Sequence, residues 1–108
     1  MKVYNAAHAL AKAIRSNEDV KRFEVLREKI MHDKTYKPLF LEFQEKQLQL
    51  QKLNKDDANP ELIVGLKEVF EKLNSVDYIK EYFELELKIN QMMSDITKIL
   101  SESIDIEY

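Results

Sequence analysis

Residues 78–100 read YIKEYFELELKINQMMSDITKIL. Within them Tyr78, Tyr82, Leu85, Ile89, Met92, Ile96 and Ile99 recur at alternating spacings of four and three. That is the period of an α-helix with one apolar face, and Met93 and Leu100 broaden it. The pattern predicts one helix over about residues 76–103, on the order of 40 Å long at 1.5 Å per residue. Its repeat is heptad-like, which marks a face suited to packing against other helices. Asn74 and Ser75, just upstream, supply a break and a cap.

Working back from this helix, Asn59-Pro60 reads as an N-cap followed by a first helical residue. Leu62, Leu66, Val69 and Leu73 then repeat the 4-3-4 spacing, with Phe70 alongside. Gly65 weakens that segment by about 1 kcal/mol relative to alanine and suggests a close helix crossing. Residues 55–59, KDDAN, read as a loop. A helix over about residues 35–54 precedes it, with Leu39, Phe43, Leu50 and Leu53 as its stripe, Phe40 widening it and Lys46 breaking it. Pro38 must lie in its first turn, because an interior proline costs about 3 kcal/mol; Thr35 is the expected N-cap. Ser16 and Asp19 form an approximate capping signal for a segment reaching Met31, with Val20, Phe23, Leu26 and Ile30 on its apolar side. The first segment, about 3–15, places Val3, Ala7, Leu10 and Ile14 on one face, flanked by Ala6, Ala11 and Ala13.

Five such segments in 108 residues, with one glycine and two prolines, predict a single all-α domain over 1–108. The expected form is a five-segment antiparallel helical bundle with long third and fifth helices. A compact monomer has too little other surface to cover two long apolar stripes, so the expected state is a homo-oligomer, most simply a two-fold dimer. The candidate oligomer or partner interface is Tyr78, Tyr82, Leu85, Ile89, Met92, Ile96 and Ile99.

Composition excludes several chemistries. There is no cysteine, hence no disulfide, thiolate nucleophile, thiolate-bound zinc or cysteine-ligated cluster. No apolar run reaches the roughly 18–20 residues of a membrane-spanning helix. Asn5, His8 and Lys12 interrupt the first segment, which argues against a signal peptide. These features lead to a cytoplasmic expectation. The net charge of −3 comes from interspersed acids and bases, which argues against direct nucleic-acid binding; Lys21, Arg22, Arg27 and Lys29 are the best candidates for a basic face.

No catalytic or cofactor-binding set emerges. Glu28 and His32 stand four apart, not in the Glu-x-x-His spacing of di-metal bundles, and read as a surface pair. His8 has no carboxylate or nucleophile at a recognisable spacing. Ser94, Ser101 and Ser103 lack a nucleophile motif, and a single glycine cannot build a phosphate loop. Glu84 and Glu86 face different directions on a helix, whereas Glu42–Lys46, Glu68–Lys72 and Glu84–Lys88 are solvated i, i+4 pairs. Met92–Met93 and the aromatic set Tyr78, Tyr82 and Phe83 read first as packing residues. The expectation is a non-enzyme with no metal and no cofactor.

The order of segments resembles the YlbF/YmcA family of small bacterial helical proteins over nearly the whole chain. Leu10, Ala11, Ile14, Ser16 and Phe23 in VYNAAHALAKAIRSNEDVKRF match its opening pattern, followed by the Asp33 turn, LFLEFQEKQLQLQKL and LNSVDYIKEYFELELKINQMMSDITKIL. The resemblance implies a non-enzymatic regulatory protein in the control of competence, sporulation or biofilm formation. It also implies partners: some members form a complex acting with the membrane-bound ribonuclease Y in mRNA turnover. Members of that complex are linked to iron–sulfur clusters through cysteines; this chain looks like the cysteine-free branch. The alternatives are a nucleic-acid-associated regulator working with a ribonuclease, and a metal-binding helical bundle.

Overall fold

A helix leaves its first N–H groups without intrahelical partners, and asparagine side chains take up some of them here. In the computed structural model, described for residues 1–53 and 59–104, five helices form. They are α1 (Lys2–Ser16), α2 (Glu18–Met31), α3 (Lys37–Lys52), α4 (Pro60–Asn74) and α5 (Asp77–Ser103). No strand occurs among the described residues. The loop read at 55–59, except Asn59, and the tail from Asp105 lie outside the described residues.

Asn17 alone links α1 to α2. Its extended backbone ends α1, and its N–H donates to Ile14 O at 3.1 Å. Its Oδ1 accepts from the N–H groups of Asp19 (2.9 Å) and Val20 (3.2 Å), so it also caps α2. Ser16, the expected cap, donates its hydroxyl back to Lys12 O at 2.9 Å instead. The α4 cap follows the expectation: Asn59 Oδ1 accepts from Glu61 N–H and Leu62 N–H, ahead of Pro60.

The start of α3 differs from the expected Thr35 cap. Asp33 Oδ1 accepts from the N–H groups of Thr35 (2.9 Å) and Tyr36 (3.0 Å). This holds Thr35 inside a turn, and α3 begins at Lys37 with Pro38 in its first turn. The helix is therefore 16 residues long, close to the 15 of α1 and α4, and α5 alone is long at 27.

The backbone divides into two compact units, Leu26–Glu81 and Met1–Val25 with the chain from Tyr82 onward. In Leu26–Glu81 the buried side chains are Leu26 and Ile30 of α2, Phe40 and Phe43 of α3, Val69 and Leu73 of α4, and Ile79 of α5. Helices α3 and α4 pack on each other. Phe43 meets Phe70 at 5.9 Å between ring centroids, and Lys46 lies beside Gly65, so the two run antiparallel. Gly65 does not mark a close backbone approach. A Cβ placed there would meet only Lys46 Cε, at 3.7 Å, an ordinary van der Waals contact.

The same unit contains a polar clasp. Asp33 Oδ2 accepts from the Tyr78 hydroxyl at 2.6 Å, and Lys29 Nζ lies 4.3 Å from the Tyr78 ring centroid. One carboxylate thus organises the α2–α3 turn and ties it to the first turn of α5. The Tyr78 hydroxyl, with the Tyr36 and Thr35 amides and Lys29, holds the Asp33 carboxyl below its ordinary 3.8. Burial, then the bond to Asp33, raises the Tyr78 hydroxyl well above its ordinary 10.0.

Two outcomes are expected. Gly65→Ala has room for its methyl group and raises stability by about 0.5–1 kcal/mol, read as a higher midpoint of thermal unfolding. Because the folded Asp33 carboxyl is depressed, its stabilisation is complete above about 3.8 and is lost as pH falls through the lower folded value. As pH falls below about 4, wild-type stability therefore drops more steeply than that of Tyr78→Phe, measured by thermal unfolding over the acid range.

Candidate interaction surface

The unit of Met1–Val25 with Tyr82 onward is built on α5. Tyr82 stacks on Phe23 of α2 at 4.6 Å with the rings 17° from parallel, and its edge-on contact with Phe83 is at 5.6 Å. Tyr82, Phe83 and Leu85 are buried. Beyond them the cover thins: Ile89, Met92 and Ile96 are half-buried, and Ile99 is 65% and Leu100 55% exposed. Helix α1 follows the same course in reverse. Leu10, Ala11 and Ile14 are half-buried, no residue of α1 is fully buried, and Val3 is 76% exposed. Val3, Ala6, Ala7, Leu10 and Leu100 line an apolar hollow of about 490 Å³. A smaller apolar hollow, about 450 Å³, lies among Arg15, Val20, Lys21, Glu24 and Val25.

The structure thus separates the seven residues expected to form an interface. Tyr78 is bonded to Asp33, Tyr82 and Leu85 are core, Ile89, Met92 and Ile96 are part-covered, and Ile99 is open. Ile79, absent from that set, is completely buried. Both Tyr78 and Ile79 stand at helical spacing from Tyr82, so periodicity alone does not choose between them. The choice rests on the Tyr78 hydroxyl, which finds Asp33 across 45 residues of sequence. Residues of α1 also border the open face, a contribution that only their uncovered stripe in the sequence foreshadowed.

Glu86 interrupts the apolar surface of α5. It is half-buried, and desolvation pushes its carboxyl above the ordinary 4.5. Other polar groups serve local roles. His32 Nδ1 lies 2.8 Å from Glu28 O and 3.4 Å from Glu28 Oε2, both side chains exposed, as expected for a surface pair. Lys46 pairs with Glu42 at 3.6 Å. The hydroxyls of Ser101 and Ser103 donate to the carbonyls of Lys98 and Leu100. Of the candidate basic face, Lys29 is engaged by the Tyr78 ring, and Lys21 lines the smaller hollow beside Glu24. Among the described residues no group of three or more His, Asp or Glu is placed to hold a metal ion, and no helix is long and apolar enough to cross a membrane. What this geometry offers is an apolar surface of two helices, suited to packing against another helix.

Comparison with known proteins follows the same outline. The family profile described as "Control of competence regulator ComK, YlbF/YmcA" matches residues 3–105. A UPF0342 protein of Halothermothrix orenii is 31% identical over 108 residues, covering 98% of this chain and 92% of the relative. Another, of Caldicellulosiruptor saccharolyticus, is 29% identical over 107 residues, covering 97% and 89%. Among solved structures, a protein of unknown function (DUF964) from Bacillus stearothermophilus superposes with a TM-score of 0.83 at 18% identity, covering 97% of this chain and 94% of that one. Bacillus subtilis RicA, solved in complex with RicF, superposes at 0.65 with 14% identity, covering 96% and 94%. At these identities the structural likenesses speak for the fold.

The Glu86 site yields a signed expectation. A carboxyl raised in the folded state favours folding below its unfolded value of 4.5 and opposes it as pH rises through the folded value. Glu86→Gln therefore raises the midpoint of thermal unfolding at pH 7, and the gain vanishes below about pH 4, where both side chains are neutral.

Proposed function

Because the chain belongs to the YlbF/YmcA family, matched over residues 3–105, we propose that it is a non-enzymatic regulatory adaptor. It acts in the cytoplasm by binding other proteins and copies of itself, in the control of competence, sporulation, biofilm formation or mRNA turnover. The observation that carries this reading is the loss of cover along α5, from buried Tyr82 and Leu85 to open Ile99 and Leu100. A contiguous apolar surface left to solvent on a small protein marks an interaction site. Two helices presenting such a surface suit a helical partner. The likeness to RicA, solved with RicF, supports a protein as that partner.

The test is affinity capture from bacterial cytosol with the tagged wild-type chain and with Ile99→Asp, read by mass spectrometry. The expected result is a discrete set of proteins retained by the wild type and lost by the variant, with nuclease treatment changing nothing. Retention of the same set by both chains overturns the assignment of this surface. Retention that disappears with nuclease favours the nucleic-acid-associated alternative.

A further inference from the structure

We propose that the hollow between the start of α3 and the end of α4 binds a monocarboxylate carried on an apolar body, with Lys72 as the cation that receives it. The hollow belongs to the unit Leu26–Glu81 and shares no residue with the α1–α5 surface of the proposed function. The two readings therefore stand or fall separately.

The volume is about 570 Å³, inside the range of about 300–1,000 Å³ usual for small-molecule sites. The turn before α3 contributes Thr35 and Tyr36, and the end of α4 contributes Lys72 and Ser75. Helix α3 adds Pro38, Leu39 and Glu42. Such sites combine an apolar wall with a few convergent polar groups. Here the wall is the Pro38 ring and the Leu39 side chain beside Tyr36, the latter two half-buried. Neither Pro38 nor Leu39 has a polar side-chain atom, so this part of the hollow suits a hydrocarbon body.

The polar part is biased toward donors. Asp33 Oδ1 takes up the N–H groups of Thr35 and Tyr36 and so fixes both residues in place. Their hydroxyls make no hydrogen bond among the described residues. Lys72 was expected to pair with Glu68 one turn before it, yet it forms no ion pair among the described residues. It lines the hollow instead. The acids near these groups are already compensated. Glu42 pairs with Lys46 at 3.6 Å, and Asp33 accepts from the Tyr78 hydroxyl and two amides. The unspent charge of the hollow is the Lys72 ammonium.

A carboxylate accepts strong, charge-assisted bonds from an ammonium and from neighbouring hydroxyls. Glu42 narrows the choice of anion. A carboxylate on the wall repels a dianion more than a monoanion, which favours a carboxylate over a phosphate monoester. A free organic acid and the C-terminal residue of a peptide share this chemistry.

The experiment is an NMR titration of the isotope-labelled full chain, reading backbone amide shifts, with isocaproate, isocaproamide and isohexyl phosphate as probes. Isocaproate is expected to move the amides of Thr35, Leu39, Lys72 and Ser75 with a Kd on the order of 1 mM. It is expected to bind at least about tenfold more tightly than the amide or the phosphate ester. Lys72→Met keeps the aliphatic stem and is expected to lose about tenfold in affinity, with an unchanged circular dichroism spectrum. Two short peptides of one sequence ending in leucine, one with a free C-terminus and one amidated, separate the sources. A free-ended peptide that binds more tightly than isocaproate supports the site with a chain end as its ligand, and one that binds more weakly supports it with a free acid. Four results overturn the site: no shift up to about 10 mM isocaproate, equal or tighter binding of the amide or the phosphate ester, shifts confined to α1 and α5, or a normally helical Lys72→Met of unchanged affinity. None of them touches the capture of partners by the α1–α5 surface.

Discussion

An apolar stripe must be covered along its whole length or remain a binding surface, and α5 carries one for 27 residues. At its start the chain supplies the cover. Ile79 is buried in one unit, and Tyr82, Phe83 and Leu85 are buried in the other. Farther along, α1 is the helix beside it, and α1 lends small side chains and only partial enclosure. The same periodic pattern therefore begins as core and ends as surface. Nothing in the spacing of its residues changes along the way; what changes is how much other helix is available.

The connections show how few groups fix the path of the chain. One asparagine both ends α1 and caps α2. One aspartate organises the turn before α3 and accepts from the tyrosine that opens α5. Both are short polar side chains able to bond nearby N–H groups in non-helical backbone, the reason such residues gather at helix starts. Asp33 adds a long-range bond to this local role, so the turn and the last helix are coupled through a single carboxylate. Its low affinity for protons is a direct result of accepting three hydrogen bonds.

Several other polar residues lie on the surface or bond to their own helix. The serines near the C-terminus donate to their own helix, the histidine–glutamate pair lies in solvent, and Lys29 rests on an aromatic ring. The chain belongs to the YlbF/YmcA family, and it leaves an apolar surface on α1 and α5 open to solvent. Glu86 is a carboxylate held partly out of water within the apolar surface of α5.

Helix number, approximate helix limits and most core positions were legible in the sequence, because they follow from local properties. Leu26, Ile30, Val69 and Leu73 keep helical spacing, and Asn59-Pro60 is a strong start signal; all of these appear as read. The cap at Asn17 was missed in favour of Ser16, since neighbouring residues of similar capping strength compete and backbone geometry decides among them, and Thr35 lies within the Asp33 turn instead of capping α3. The sequence also determined that a continuous apolar face runs along the last helix. Only the tertiary structure decided where that face stops being core. Burial depends on which other segments lie within reach, a property of the folded chain and not of the spacing within one helix. For the same reason Ile79 outranks Tyr78 in the interior: a hydroxyl goes where a carboxylate can receive it, and Asp33 comes near only after folding.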